Sequence, residues 1–221
     1  VSHTPESRAR LSSGASEPAI YRMVLRALEV RDIRGGRLVD VGCGAGTLWA
    51  YVGARFQHYT GLDVARYDGF PTAGTFVPVD LDAGGAPLPD GAGDVVAAVE
   101  TIEHLENPRG FVRELSRLAT PGGWVIVTTP NQLSLLSLAT LVVKQRFSAF
   151  QDMHYPAHRT ALLGVDLRRI TAECGLTDIA VAYSEHGRIA LTAKHYPRLL
   201  ARALPRACSD NVLVIGRKPR R

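Results

Sequence analysis

An acid and three glycines at alternate positions, Asp40-Val-Gly42-Cys43-Gly44-Ala-Gly46, close an apolar run that begins at Leu38. Glycine lets a backbone turn tightly and approach a ligand with no Cβ in the way. A turn that grips a pyrophosphate offers it a bare helix N-terminus, and a carboxylate at Asp40 would repel phosphate there. That acid suits a ligand carrying positive charge. Asp63 ends a second apolar run, 17 residues after Gly46, where a carboxylate can accept hydrogen bonds from both hydroxyls of a ribose. The stretch Glu100-Thr-Ile-Glu103-His104 gathers two carboxylates and an imidazole within one turn if it is helical. Oxygen and nitrogen donors of this kind suit Mg²⁺ or Mn²⁺, and a histidine by itself can act as a base near neutral pH. Farther on stand His154 and His158, four apart, with Pro156 between them arguing against a regular helix.

These groups need a frame. From Glu17 to Val30 the apolar residues Ile20, Val24, Leu25 and Leu28 recur at helical spacing, and Gly35-Gly36 stops that helix. Short apolar runs then alternate with helical ones, the pattern of a parallel α/β sheet. The runs predict strands over 37–41, 59–63, 75–79, 95–99, 124–128, 178–183 and 211–216, with a helix around 162–174 before the last two. Residues 1–16 are polar and are expected to be loose. The stretch 131–160 is the least regular, and irregular stretches of that length are commonly functional lids. Its first half, 133–143, is apolar enough for a helix covering a substrate; its second half holds Phe147, Phe150, His154, Tyr155 and His158.

Composition narrows the class. The chain has 221 residues, 46% of them hydrophobic and 21% charged, and reads as a single globular domain. Three cysteines (Cys43, Cys174, Cys208) form no CxxC pair, which fits a reducing compartment. The first residues lack a signal-peptide pattern, and no apolar stretch nears the roughly 18–20 residues of a membrane span. A cytoplasmic protein is expected. The net charge of +5 is uneven: from His186 onward there are nine Lys or Arg against one acid, Asp210. Such a segment can meet a phosphate-bearing partner or serve as a solvated surface.

The glycine turn resembles motif I of the class I S-adenosylmethionine-dependent methyltransferases, and four more signatures of that family follow in order. They are Asp63 at the second strand end, Val79-Asp80-Leu81 after the third, Asp94-Val-Val-Ala-Ala-Val99-Glu-Thr-Ile-Glu-His-Leu105, and Leu118-Ala-Thr-Pro-Gly-Gly-Trp-Val-Ile-Val-Thr-Thr-Pro-Asn131. The last two resemble the ubiquinone-type group. The resemblance runs from about Leu38 to Arg217. It implies a Rossmann-like α/β fold, a seven-stranded and mostly parallel sheet with an antiparallel last strand and helices on both faces. It also implies S-adenosylmethionine as cofactor and S-adenosylhomocysteine as product. Asp40, Gly42, Cys43, Gly44 and Gly46 would hold the methionine part, Asp63 and Val64 the ribose, Asp80 and Leu81 the adenine, and Val99 would run beside the sulfonium.

The signature of base and amide N-methylating enzymes, Asn/Asp-Pro-Pro-Tyr/Phe, is absent after the fourth strand, which makes an oxygen acceptor the default. His104 or His154 would then take the proton from a hydroxyl. The expected acceptor is a small molecule, a glycan or a lipid-linked intermediate beneath a lid at 131–160, with residues 1–35 as an N-terminal cap. Glu-x-x-Glu-His also resembles the metal site of small-RNA 3′-terminal 2′-O-methyltransferases and of some ubiquinone-pathway O-methyltransferases, with His154 or His158 as a further ligand, and metal-assisted 2′-O-methylation of an RNA 3′ end is the alternative enzyme reading. Metal-free relatives carry similar residues, so no metal is assigned. No RNA-binding module is recognisable, and nucleic acid is not expected as partner. A cofactor-binding module without turnover is the non-enzyme alternative.

Overall fold

The computed structural model describes residues 14–220, so the expectation of looseness at 1–13 lies outside the described residues. Seven strands, β1 (Arg37–Val41), β2 (His58–Asp63), β3 (Thr75–Pro78), β4 (Gly93–Ala98), β5 (Ala119–Pro130), β6 (Thr177–Tyr183) and β7 (Asn211–Arg217), form one sheet in the order β3-β2-β1-β4-β5-β7-β6. Only β7 is reversed, running antiparallel to both β5 and β6. This is the fold expected from the sequence.

Successive side chains of a strand point to opposite faces, and here both faces are buried. Val39, Val96, Val127 and Val214 join one core, roofed by α3 (Pro108–Leu118) through Phe111, Leu115 and Leu118 and by α5 (Gly164–Glu173) through Leu167 and Ile170. Their neighbours Leu38, Val95, Ile126 and Leu213 join a second core, covered by α1 (Pro18–Glu29) through Ile20, Met23, Val24 and Leu28 and by α2 (Thr47–Val52) through Leu48 and Val52. Strands covered on both sides read as continuous apolar runs, which is why their positions show in the sequence. The third helix starts where it does because Asn107 accepts a hydrogen bond from Gly110 N (2.9 Å) and Pro108 occupies the first turn.

Three departures matter. Strand β5 begins at Ala119, not Trp124, because residues 120–123 bulge out where the β4–β5 register slips between Gly93 and Val95. Residues 14–16 are pinned rather than loose: Gly14 O accepts from Ala45 N (2.8 Å) and Ser16 N donates to Tyr21 Oη (2.8 Å). Between β6 and β7 the chain adds a small hairpin, closed by an antiparallel bridge between Arg188 and His195, and a short helix α6 (Arg198–Ala203).

Candidate active site

Strand order reverses between β1 and β4, and their carboxyl ends open on a cavity of about 1220 Å³, the place where open α/β sheets bind ligands. The glycine turn forms one wall. Gly42 has φ +75°, and a Cβ there would fall on Thr101 Oγ1 and Cγ2, so the turn can pass under the β4 loop only as glycine. Gly44 has φ +51°, and its Cβ would meet the Gly14 carbonyl. The amides of Gly42 and Cys43 both donate to Leu62 O (2.7 and 3.0 Å), and Cys43 O accepts from Gly46 N (2.8 Å). The backbone of Cys43 is thus engaged within the loop, and burial pushes its thiol up, keeping it protonated. Gly46 faces Pro71 and Tyr59 rather than the cavity and starts α2.

Asp40 is 1% exposed. Its Oδ2 accepts from Tyr59 Oη (2.9 Å), while Oδ1 has no hydrogen-bond partner among the described residues. Burial lifts its pKa to about 7 although the Tyr59 bond works in the opposite direction. Asp63 braces the same loop: Oδ2 accepts from Gly44 N (2.8 Å) and Oδ1 from Val64 N (2.7 Å), and burial raises its pKa. Asp80, half-buried, accepts from Asp82 N (3.0 Å). Asp40, Gly42, Cys43, Gly44, Asp63, Val64, Asp80, Leu81 and Val99 all line the cavity; so does Tyr67, which the sequence did not single out.

Beyond Val99 the chain departs from helical geometry. Glu100 has φ +51°, a left-handed conformation uncommon outside glycine. Its N–H donates to Thr128 Oγ1 (2.9 Å), that hydroxyl donates to Glu100 Oε1 (2.9 Å), and Asn211 Nδ2 donates to Oε2 (2.9 Å). Burial and the neighbouring Glu103 hold the Glu100 carboxyl well above the usual range. A 3-10 turn, Ile102–His104, then carries Glu103 inward to 0% exposure. Its Oε2 accepts from Thr129 Oγ1 (3.1 Å), Oε1 has no hydrogen-bond partner among the described residues, and burial lifts its pKa to about 8.

His104 Nδ1 lies 2.9 Å from Ala157 O. A carbonyl can only accept, so Nδ1 carries the proton and the neutral ring keeps its lone pair on Nε2. His158 is set the same way, with Nδ1 2.6 Å from Ala149 O, and burial pushes its pKa down to about 4. His154 is opposite: its Nδ1 accepts from Gln151 N (3.1 Å), which leaves the proton of the neutral ring on Nε2. Although Pro156 breaks the helix, the three imidazoles still meet, His158 lying 4.8 Å from His104 and 5.5 Å from His154 between ring centroids. Donor atoms of Glu103, His104 and His158 lie within 4.8 Å of one another. Glu100, committed to Thr128 and Asn211, is not in that group.

The helix expected over 133–143 is α4 (Leu135–Lys144), capped by Ser134 Oγ accepting from Ser137 N (3.1 Å). Its Leu136, Ala139 and Val143 give the cavity an apolar wall, and the hairpin contributes Ala190 and Leu191. His195 is exposed, and its ring stacks on His186 with centroids 4.0 Å apart. Trp49 stacks on Tyr59 and Tyr51 on Tyr21. Among the described residues no helix is long and apolar enough to cross a membrane.

Comparison with known proteins agrees with this architecture. Residues 15–181 match the family model described as a methyltransferase domain, and the chain belongs to the class I S-adenosylmethionine-dependent methyltransferase family. It is 34% identical over 119 residues to the ubiquinone biosynthesis O-methyltransferase of Chromobacterium violaceum, covering 50% of this chain and 51% of that protein. It is 30% identical over 147 residues to the chloroplastic tocopherol O-methyltransferase of Arabidopsis thaliana, covering 58% and 41%. The chain spans about half the length of the curated relatives it matches. Among solved structures, a SAM-dependent methyltransferase from Archaeoglobus fulgidus superposes with a TM-score of 0.64 at 17% identity, over 90% of this chain and 94% of that one.

Proposed function

We propose that this protein moves a methyl group from S-adenosylmethionine to a hydroxyl of a small, partly apolar acceptor, with His104 as the base. The cofactor supplies an electrophilic methyl on a sulfonium. The residues present fit it: Asp40 Oδ1 is a buried carboxylate oxygen without a hydrogen-bond partner among the described residues, suited to a cationic group, and the cradle at Gly42 and Gly44 excludes any side chain. Asp63 and Asp80 line the same groove. The chain's work is to hold the acceptor oxygen in line and to take its proton. The observation that carries the reading is the hydrogen bond to Ala157 O, which leaves His104 with an Nε2 lone pair, whereas His154 presents a proton. The α4 wall supports an acceptor with an apolar portion, and the O-methyltransferase names of the ubiquinone and tocopherol relatives favour oxygen. The test is transfer of radiolabelled methyl to a panel of alkylated phenols. His104→Ala should slow it by about 10²–10⁴ with S-adenosylhomocysteine affinity retained; an unchanged rate refutes the assignment.

A second reading is favoured by the convergence of Glu103, His104 and His158. Metal-bound histidines commonly donate their other ring N–H to a carbonyl, as His104 and His158 do here, and Glu103 Oε1 lacks a hydrogen-bond partner among the described residues. These three would hold a divalent ion such as Mn²⁺, which would acidify an acceptor hydroxyl. Calorimetric titration of Mn²⁺ and Mg²⁺ into protein saturated with S-adenosylhomocysteine decides between the readings. One ion per chain, lost in His104→Ala, supports the metal; no binding leaves the histidine base.

A further inference from the structure

The basic C-terminal segment plays no part in the chemistry above, yet the fold gives part of it a definite place. At the sheet edge opposite the cofactor cavity lies a second cavity of about 520 Å³. Arg31 and Arg34, from the connection between α1 and β1, line it together with Arg217 at the end of β7 and Arg220 beyond. The turn 121–123, Trp124 and the two acids Asp32 and Asp94 share its wall.

Two of these arginines are held in place. Arg31 and Arg217 both set their guanidinium over the Trp124 ring, 5.8 and 5.3 Å from its centroid. Arg31 Nη1 also donates to Ala27 O (3.2 Å), and Arg217 Nε to Gly122 O (3.0 Å). Two acids also line the cavity and each has a basic partner: Asp32 pairs with Arg34, and Asp94 pairs with Arg37 (3.5 Å) while accepting from Arg37 N (2.7 Å). Arg31, Arg217 and Arg220 have no carboxylate within ion-pair distance among the described residues. Three guanidinium groups without an ion-pair partner among the described residues thus line one concavity, two of them pre-oriented by an indole and by backbone carbonyls. Planar forks arranged this way match phosphate oxygens.

We propose that this cavity is a second binding site, separate from the methyl-transfer site, for a compact polyanion of the pyrophosphate or nucleoside di- or triphosphate class. Its volume lies in the range of small-molecule sites. The charges come from two segments that close on one hollow, rather than forming the stripe that tracks a nucleic-acid backbone.

Trp124 makes the site observable. The chain has two tryptophans, so Trp49→Phe leaves Trp124 as sole reporter. This protein, saturated with S-adenosylhomocysteine to fill the first cavity, is titrated in turn with pyrophosphate, ATP and oligothymidylates of increasing length. The expected result is a saturable fluorescence change with pyrophosphate and ATP, weakened at least about tenfold in Arg31→Gln/Arg217→Gln. Arg220→Gln, which lies outside the strands and keeps the sheet intact, should weaken binding about three- to fivefold. S-adenosylhomocysteine affinity should not change in either variant. No saturable change in the parent, or equal binding in both arginine variants, overturns the proposal. So does oligothymidylate binding that tightens with length while pyrophosphate fails to bind, which would assign the patch to nucleic acid.

Discussion

Asp40→Asn should make the cofactor-free protein more stable at pH 8 while weakening the cofactor. In the folded chain burial lifts the Asp40 pKa to about 7 from 3.8. The native state therefore binds more protons than the unfolded one between these values, and stability falls as pH rises through that window. A three-unit gap is worth about 4 kcal/mol once pH exceeds the folded value, of which about 2–3 kcal/mol develops between pH 5 and pH 8. Asparagine removes that penalty, but it places an amide NH₂ where Oδ1 now stands without a hydrogen-bond partner among the described residues, at a cost of about 1–3 kcal/mol. The variant should thus lead by about 1–3 kcal/mol at pH 8 and lose the lead near pH 5. Urea unfolding of both proteins at the two pH values measures the difference. Glu103 titrates in both proteins and cancels, whereas the repulsion from Asp63 is part of what lifts Asp40. Calorimetry at pH 8 should show S-adenosylmethionine binding at least about tenfold weaker in the variant, since a buried carboxylate facing a cation has lost its charge. A stability difference that does not change with pH would refute the buried-charge account, and unchanged affinity would refute the role of Asp40 toward the cofactor.

Two other substitutions probe the loop. Asp63→Ala removes the acceptor for Gly44 N and Val64 N as well as the proposed ribose contact; S-adenosylhomocysteine affinity should fall by about 1–3 kcal/mol, read by calorimetry. Gly42→Ala combines a left-handed backbone, about 1–2 kcal/mol, with a clash against Thr101, about 1–3 kcal/mol. Its loss of stability in a denaturant titration should be partly relieved by Thr101→Gly, which clears the side chain but not the backbone strain.

The strand ends that carry Asp40 and Asp63 were legible because buried parallel strands write continuous apolar runs, here punctuated by glycine and acid. The start of β5 was not: Pro121-Gly122-Gly123 looked like the turn before the strand, whereas Ala119 already pairs with Gly93 and the turn is a bulge. Spacing placed Glu100 and Glu103 on one helical turn with His104. The chain instead takes a left-handed step at Glu100, which sends that carboxylate toward β5 and β7 and leaves Glu103 with the histidines. A single dihedral decides that arrangement, and periodicity carries no trace of it. Nor could the sequence say which imidazole keeps a lone pair, because the carbonyls that settle it belong to Ala149 and Ala157, residues without chemical character of their own. The hairpin closed by Arg188 and His195 lacks the apolar alternation that announces a strand.

The position of β7 has a consequence for how the protein comes into being. Every residue proposed to hold the cofactor lies at or before Val99, and the five strands up to Pro130 are consecutive neighbours in one part of the sheet. Strand β6 reaches that part only through β7, the last of these seven strands in chain order. Synthesis therefore delivers the cofactor half tens of residues ahead of the strand that completes the sheet. During that interval the open edge of β5, with Val125 and Val127, awaits its partner. An emerging chain is exposed to strand mispairing there, and a cofactor that engages the early half would favour its native form before the acceptor side exists.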